Sequence, residues 1–367
     1  SNGKKVKAKD GDVQKSKTIN GKKYEFDVNG AMTAEWSLDV EKASNDGVKD
    51  GNSTSSTNSV AAKYAKEWRY FSSVEDGARV SKGWFKVVAA EYLNYDKYND
   101  DEDAWYYADG SGNLYAGEFK TIKGKKYAFR DDGRMVSGLK FIKINKDAQN
   151  KVTGLTVKAD DDDNHPFDDE DRFDESALWY EANEYDCYYF GDGDDGAMRT
   201  NKTSVTIDGD NYNFYFEKSG GHKGAGVTGE EDDKLYQSGM LLKADSDDKY
   251  IVVEKTSHYE GDKVKYTTYR KLDDAKEFMN ADGVQVKDEL DGKNGNDAVN
   301  IGNGNTKKAE DLSEAYSITY KDKDAKGDKK EYILVNTSGK IVDGKGKNKD
   351  GSDYYYVTEK KANGENS

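Results

Sequence analysis

The fold prediction rests on residues 123–139, which read KGKKYAFRDDGRMVSGL. Tyr127 and Phe129 alternate with other residues, which is the two-residue period of a half-buried β-strand. The Asp-Asp-Gly that follows is typical of a turn, because glycine adopts positive φ at little steric cost. A second short strand, beginning near Met135, comes after this turn. The segment therefore predicts a β-hairpin unit built on an aromatic strand.

The same unit recurs along the chain, and such self-similarity is typical of repeat architectures. Residues 20–36 read NGKKYEFDVNGAMTAEW, and residues 104–119 read AWYYADGSGNLYAGEF. Residues 68–84, WRYFSSVEDGARVSKGW, form a further copy with one extra residue after the turn. Looser copies lie at 187–198, 209–221 and 331–342. We expect an all-β protein whose hairpin repeats form a solenoid-like, elongated array, with long loop inserts and minor helix.

Composition supports a stack of repeats with a thin, local core. Only 34% of the 367 residues are hydrophobic, yet the chain has 27 Tyr, 12 Phe and 5 Trp. Disordered chains lack aromatic residues, and each buried ring removes roughly 150–250 Å² from water. The 37 Gly and single Pro indicate frequent turns through positive φ, as in hairpins.

Charge and cysteine content exclude several classes of protein. A formal charge of -15 argues against binding to nucleic acid or to an anionic membrane. No apolar run is long enough to span a membrane, and Ser1-Asn2-Gly3 begins no signal-peptide segment. The single cysteine, Cys187, cannot form an intrachain disulfide. We expect it to be a small buried strand residue, with an intermolecular thiol as the alternative.

The motif Gly-x-Met-x-x-Gly-Trp, preceded by Trp-Tyr-Tyr, resembles the choline-binding or glucan-binding repeat of Gram-positive surface proteins and large clostridial toxins. The resemblance implies a non-enzymatic protein without cofactors, secreted or associated with the cell wall. Its expected partners are a cell-wall polymer or another glycan, with choline and surface proteins as further partners. The matching stretches are Tyr24–Trp36, Trp68–Trp84, Trp105–Phe119 and Tyr127–Leu139.

In this family, shallow sites between neighbouring hairpins are lined by aromatic rings that meet a sugar's C–H face or a choline ammonium. Rings in a thin core must also pack against one another, so each candidate has a structural alternative. Choline recognition in the family uses a cage of two Trp with a third aromatic residue or Met, and Phe119 and Leu139 stand here where Trp is expected. That departure makes choline less favoured than a glycan or than no small ligand at all. The candidate ligand-binding residues are Trp36, Trp68, Tyr70, Trp84, Trp105, Tyr107, Tyr127 and Trp179.

Two other functions stay open. The first is a structural spacer or protein-adhesion scaffold that has lost small-ligand binding, which the eroded Trp positions and long inserts favour. The second is an enzyme, for which no nucleophile elbow, zinc-binding helix or phosphate loop is present. A carboxylate pair for glycoside hydrolysis is not singled out among the 72 Asp and Glu.

The acidic stretches resemble calcium loops only superficially. Asp192, Asp194 and Asp195 alternate with glycine, and alternating carboxylates can hold a hard cation. The spacing lacks the twelve-position pattern with its terminal Glu, so a solvated acidic loop is favoured over a weak Ca²⁺ site. The three histidines have no partner at metal-ligand spacing, which predicts surface residues.

Composition also predicts how the chain is divided. The polar stretch near Gly51 and the acidic run 160–171 are the sharpest shifts. We expect a first hairpin repeat (1–36), an insert (37–67), a hairpin repeat block (68–145), an acidic insert (146–176), a second, diverged repeat block (177–229), a β-rich module or diverged repeats (230–330), and a C-terminal hairpin repeat with its tail (331–367).

Overall fold

A computed structural model gives the structure of the chain over most of its length. The described residues are 4–9, 14–38, 59–158, 164–281, 284–288, 298–300, 316–320, 327–343, 346–352 and 355–358. Most of the expected polar linker and residues 159–163 of the acidic run lie outside the described residues.

The chain divides into two compact units. Unit 1 comprises Ser1–Ala159 and Tyr188–Arg199, and unit 2 comprises Asp160–Cys187 and Thr200–Ser367. This division is coarser than the seven segments expected from the sequence, whose limits stay a prediction.

Unit 1 consists of five antiparallel strand pairs and two short helices, and the first four pairs are separate two-stranded sheets. Strands β1–β2, β3–β4, β5–β6, β7–β8 and β9–β10 pair in this way. Apart from the first and last, each pair joins the end of one repeat to the start of the next. The elements are β1 (Lys15–Ile19), β2 (Lys22–Phe26), β3 (Glu35–Leu38), α1 (Ser59–Ala65), β4 (Trp68–Phe71), β5 (Gly83–Val88), α2 (Tyr95–Asn99), β6 (Asp103–Ala108), β7 (Glu118–Ile122), β8 (Lys125–Phe129), β9 (Leu139–Lys146) and β10 (Val152–Lys158).

The repeats share one backbone register. After the turn, a residue donates its N–H to the carbonyl of the residue eight positions earlier in four copies: Thr33 to Glu25, Tyr115 to Tyr107, Val136 to Ala128 and Val342 to Leu334. In the copy at residues 68–84, whose turn is longer, Val80 donates its N–H to the carbonyl of Tyr70, ten positions earlier. The hairpin unit read from the sequence is thus a unit of main-chain hydrogen bonding.

The turn of each repeat is fixed by an acidic or amide side chain and a glycine. Asp109 Oδ1 accepts hydrogen bonds from the N–H groups of Ser111 and Asn113, at 2.7 and 2.9 Å. The N–H of Gly112 bonds the carbonyl of Asp109, and Gly112 has φ +81°. Only glycine adopts this backbone conformation without strain. The Asp/Asn and Gly pattern of the sequence therefore has a direct structural cause.

Main-chain hydrogen bonds also join consecutive repeats of unit 1. In each case a residue just after one turn donates its N–H to a carbonyl on the first strand of the preceding repeat. These bonds run from Arg79 to Lys23 (2.9 Å), from Met135 to Trp105 (2.8 Å) and from Met198 to Lys126 (2.8 Å). Because these bonds join main-chain atoms, neighbouring repeats can stack without a particular side chain. A solenoid-like, elongated arrangement of the whole array stays a prediction.

Strand β11 (Asp186–Tyr189) crosses the sequence boundary between the units. Unit 2 contains a five-stranded sheet in the order β12-β13-β16-β15-β14, three-stranded sheets β18-β17-β22 and β20-β19-β21, and the hairpin β23-β24. Its elements are α3 (Glu170–Ala182), β12 (Asn201–Ile207), β13 (Asp210–Phe216), β14 (Gly229–Glu231), β15 (Lys234–Gln237), β16 (Met240–Leu241), β17 (Tyr250–Glu260), β18 (Lys263–Lys271), α4 (Ala275–Asn280), β19 (Val284–Asp288), β20 (Ala298–Asn300), β21 (Tyr316–Tyr320), β22 (Lys329–Asn336), β23 (Gly346–Lys349) and β24 (Tyr355–Thr358).

The core of each unit is local, as the composition indicates. Unit 1 has a cluster around Tyr106 and Leu93, both 0% exposed. In unit 2, the two faces of sheet β18-β17-β22 bury separate clusters around Leu272 and Val253. Cys187 is a free, buried strand residue, as predicted. The fold is mostly small antiparallel sheets with little helix.

Candidate functional site

Strand pairing places the candidate rings of unit 1 in register. Trp36 on β3 lies directly across from Tyr70 on β4. Trp84 on β5 lies directly across from Tyr107 on β6. Cross-strand pairs of aromatic residues stabilise antiparallel strands. Each pair then contacts rings from the following repeats, which creates two clusters.

The first cluster, the Trp36 cluster, consists of Trp36, Trp68, Tyr70, Phe85 and Tyr106. The centroid of the Trp36 ring lies 5.0–6.1 Å from those of the other four rings. Trp68 is 6% exposed and Tyr106 is 0% exposed. The Trp36 Nε1–H donates a hydrogen bond of 2.8 Å to a backbone carbonyl of β5. These rings form core, and for Trp68 in particular the structure favours packing over ligand contact.

The second cluster, the Trp84 cluster, consists of Trp84, Trp105, Tyr107, Tyr127 and Phe129. The Trp84 ring lies at its centre, with centroid distances of 4.9 Å to Tyr127, 5.1 Å to Tyr107, 5.8 Å to Phe129 and 6.4 Å to Trp105. Phe129 is fully buried, whereas the other four are half-buried. Strands β5, β6 and β8 therefore present a group of partly exposed rings on a buried aromatic base.

The ring contacts restrict what the Trp84 cluster can bind. An ammonium is held by cation–π attraction when it lies within about 6 Å of a ring centroid, over the ring face. Here Tyr107 and Tyr127 contact Trp84 edge to face, with interplanar angles of 76° and 63°. Rings in direct contact leave no gap between them for a trimethylammonium group. A ligand can therefore contact only the outer surfaces of these rings, and a flat apolar face suits those surfaces.

Lysine side chains already lie over some of the rings. Lys86 Nζ is 6.0 Å from the Trp105 centroid and 3.0 Å from a carboxylate oxygen of Asp194. Lys120 Nζ is 5.0 Å from the centroid of Tyr115. The rings of this region therefore have hydrogen-bond donors beside them, a combination suited to the hydroxyl groups of a sugar.

The phenols of Tyr127 and Tyr70 are uncharged at neutral pH. Burial raises the pKa of Tyr127 above its usual value, and the nearby carboxylate of Asp195 raises it further. Burial likewise raises the pKa of Tyr70, with Glu35 and Asp103 acting in the same direction.

Phe119 and its neighbours form a reduced version of the same arrangement. Phe119 follows its turn as Trp84 does, and its ring lies 5.2 Å from Tyr188 and 6.4 Å from Phe190. Phe190 is fully buried, and Lys126 Nζ lies 5.2 Å from the Phe119 centroid. The departure from Trp at this position gives a smaller ring surface.

Trp179 is not part of a hairpin. It lies on α3 in unit 2, where its ring stacks on His165 at 3.8 Å and is 36% exposed. The sequence analysis expected it to lie among the rings between hairpins. A ligand-binding role for Trp179 between hairpins therefore has no geometric support.

The carboxylates of the acidic loop near Gly193 each have a partner of their own. Within the described residues, no group of three or more His, Cys, Asp or Glu side chains is placed to hold a metal ion. A Ca²⁺ ion would have to compete with these partners. The pairs are Asp192 with the Tyr189 hydroxyl (2.8 Å), Asp194 with Lys86 (3.0 Å) and Asp195 with Arg199 (2.5 Å).

His258 differs from the expected surface histidine. Its Nδ1 lies 2.9 Å from Asp328 Oδ2, its Nε2 lies 3.0 Å from Thr268 Oγ1, and its ring stacks on Tyr266. Asp328 is distant in sequence, so spacing could not reveal the contact. The pairing of β17 with β18 and β22 brings these groups together.

Sequence reasoning missed two members of the ring region. Tyr115 stacks on Tyr107 at 5.2 Å, and Phe129 lies beneath Trp84. Phe129 follows Tyr127 by two residues, so the strand period places both on one face of β8. That period was the signal that could have identified it.

The structure defines the chain as an aromatic-rich β-hairpin repeat protein. No helix in the described part of the chain has the length and apolar character that a membrane span requires. No family model matches the chain, and no curated protein matches it.

Several solved structures resemble the chain. Choline binding protein F from Streptococcus pneumoniae is 17% identical with a TM-score of 0.32, over 63% of this chain and 48% of that chain. The choline binding domain of Spr1274 from the same organism is 22% identical with a TM-score of 0.19, over 33% of this chain and 92% of that domain. The modular autolysin LytC, also from S. pneumoniae, is 15% identical with a TM-score of 0.23, over 66% and 44% of the two chains.

Two of these three proteins are named as choline-binding, which is the family that the repeat motif resembles. The matched region spans about half the length of choline binding protein F.

Proposed function

We propose that this chain is a non-enzymatic binding protein that attaches to a cell-wall polymer or another glycan through the Trp84 cluster. The observation that carries the proposal is the position of Trp84. Its ring is half-buried and contacts four other aromatic rings, of which only Phe129 is fully buried. Such a platform is rigid, apolar and uncharged, and it is accessible at its outer surface.

A glycan fits this platform better than choline does. A sugar stacks its C–H face on one ring surface and bonds its hydroxyls to polar groups at the rim. Choline needs rings that stand apart around its ammonium. Lys86 beside Trp105 supplies a hydrogen-bond donor, and its positive charge repels a second cation. Choline is therefore the weaker ligand in this proposal.

The setting that suits this function is the cell surface. A chain with a formal charge of -15 stays soluble and is repelled by the phosphates of nucleic acid. We propose that the protein is extracellular, secreted or bound to the wall of a Gram-positive bacterium, where polymeric glycans are available.

The second candidate function is a structural spacer or adhesion scaffold. The Trp36 cluster favours it, because three of its five rings, Trp68, Phe85 and Tyr106, are buried core. If the Trp84 cluster packs only for stability, the repeats would hold other surfaces apart without binding a small ligand.

Binding of the purified chain to isolated Gram-positive cell walls and to a glycan array, with choline as competitor, tests the proposal. Trp84→Ala and Tyr107→Ala should each weaken saturable binding at least tenfold while the far-UV circular dichroism stays unchanged. Tyr98→Ala is the matched control, because Tyr98 is an exposed ring on α2 outside the cluster. Absence of saturable binding by the wild-type chain would leave the spacer function.

A further inference from the structure

One face of the five-stranded sheet in unit 2 combines polar and aromatic side chains. Lys202 on β12 lies directly across from Tyr215 on β13, and Ser204 lies directly across from Asn213. Residues two apart on a strand point to the same face. The face therefore presents an ammonium, a hydroxyl, an amide and a phenol next to one another.

Apolar side chains form the base of this face. Tyr215, Val227, Tyr236 and Leu241 pack together, and none is more than 9% exposed. The rings of Tyr215 and Tyr236 meet edge to face, with centroids 5.6 Å apart. The side chains of Lys202, Ser204 and Asn213 are exposed, and they stand beside this buried aromatic base.

A cavity of about 400 Å³ opens at this place. This volume lies in the range of roughly 300–1,000 Å³ typical of small-molecule sites, which are mainly apolar with a few converging polar groups. The side chains that line it include Lys202, Ser204, Asn213, Lys234, Tyr236 and Leu241.

Lysine side chains lie beside the aromatic base of this face, together with the carboxylate of Asp232. Lys202 and Lys218 place their ammonium groups 5.7 and 5.5 Å from the Tyr215 centroid. Lys202 also pairs with Asp232 at 2.8 Å, and this carboxylate raises the pKa of the lysine. Among the described residues, Lys218 and Lys234 form no such ion pair. Of the two lysines that line the cavity, Lys234 is therefore available to an anion, and Lys202 can exchange the carboxylate of Asp232 for the anion of a ligand.

We propose that this cavity binds a saccharide unit that carries a carboxylate or a phosphate. Lys234 and Lys202 hold the anionic group, Ser204 and Asn213 bind hydroxyls, and the edge of Tyr236 contacts the apolar part of the sugar. This site lies apart in sequence from the Trp84 cluster and adds a second site, with a defined ligand class, to the proposed function.

The test uses the full chain and isothermal titration with three probes: trigalacturonate, its uncharged methyl ester, and glucose 6-phosphate. We expect at least one of the two anionic probes to bind, with an affinity that falls as the salt concentration is raised. If trigalacturonate binds, it should bind at least tenfold more tightly than its methyl ester. The double substitution Lys202→Ala and Lys234→Ala should reduce binding at least tenfold. Lys263→Ala with Lys265→Ala is the matched control, because both are exposed lysines on β18.

Two further variants separate binding from folding. Lys234→Arg keeps the charge and should keep most of the affinity, and Trp84→Ala should leave this binding unchanged even if it abolishes attachment to cell walls. Equal binding of the ester and the acid, wild-type affinity in the double alanine variant, or no binding of either anionic probe would each overturn the proposal.

Discussion

Asp131 Oδ1 accepts a hydrogen bond of 2.8 Å from the backbone N–H of Leu155, so a turn carboxyl of one repeat holds strand β10 of the following hairpin. Asp131 is 0% exposed, and its Oδ2 has no hydrogen-bond partner among the described residues. Gly117 and Gly154 lie so close that a Cβ at either would press on the carboxyl. Burial raises the pKa of Asp131 to about 7, because the cost of burying the charge outweighs the one hydrogen bond from Leu155.

This carboxyl should make stability depend on pH. The folded pKa lies above the unfolded value, so the folded state keeps a proton that the unfolded chain loses, and stability falls as pH rises from about 4 to about 7. Asp131→Asn keeps the acceptor and removes the ionisation. We expect it to be more stable than the wild type at pH 7.5, by on the order of 2–4 kcal/mol, and similar at pH 4. Urea unfolding at both values measures this, with exposed Asp147→Asn as the control; equal pH profiles for wild type and Asp131→Asn would contradict it.

Lys271 should be essential to the packing of α3 on β18. Its Nζ lies 2.5 Å from Glu170 Oε1 and 3.4 Å from Asp174 Oδ2. Lys271→Met leaves two carboxylates in a largely buried place without their cation, which should cost about 3–5 kcal/mol at pH 8. Burial already raises the pKa of Asp174 to about 6. The loss should therefore shrink at pH 5, where a protonated Asp174 needs no cation.

Guanidinium denaturation of this variant at pH 5 and pH 8 provides the measurement. Lys263→Met, on an exposed part of the same strand, should be neutral at both. A loss of equal size at the two pH values would show that Lys271 acts through packing of its alkyl chain alone.

The two tryptophans of unit 1 should separate stability from binding. Trp68→Ala removes a ring that is 6% exposed, and we expect a loss of about 3–5 kcal/mol of unfolding free energy. Trp84→Ala removes a half-buried ring and should cost about 1–2 kcal/mol. Thermal and urea unfolding followed by near-UV circular dichroism compare the two. If Trp84→Ala proved as destabilising as Trp68→Ala, the Trp84 cluster would be core.

Gly226 should tolerate no side chain. A Cβ there would overlap the backbone of Ser238 and Gly239, which cannot move as a side chain can. We expect Gly226→Ala to destabilise the protein by about 1–3 kcal/mol. Gly221→Ala is the control, because its Cβ would meet nothing within 4 Å. Equal urea midpoints for the two variants would show that the chain near Ser238 rearranges easily.

The hairpin units could be predicted because their signals are local. The aromatic alternation at Tyr127 and Phe129 and the turn at Asp109 to Gly112 reappear as strands and as hydrogen bonds within eight residues. A short helix near Val60 and a helical turn near Phe278 were also visible as local patterns, and they are α1 and α4. Local periodicity was therefore sufficient for the elements.

The site could be predicted only in part. Strand alternation does not reveal whether a ring faces the next repeat or the solvent, so Trp68 and Trp84 carried the same expectation and differ in burial. Trp179 was misplaced because an aromatic pair occurs in helices as well as strands. The contacts of His258 with Asp328 and of Lys202 with Asp232 join distant parts of the chain, which a repeat pattern cannot show.

One position after the hairpin turn is occupied by a different residue in successive repeats: Trp36, Trp84, Phe119 and Leu139. The main-chain hydrogen bonds that define each repeat are nevertheless the same kind in all four. Backbone geometry and ring identity are thus uncoupled. Under the binding function proposed above, one substitution at such a position would change a ring surface that neighbouring repeats build together. The hydrogen-bonded backbone of each repeat would stay the same, so the ligand preference of the chain could change in evolution while the fold is kept.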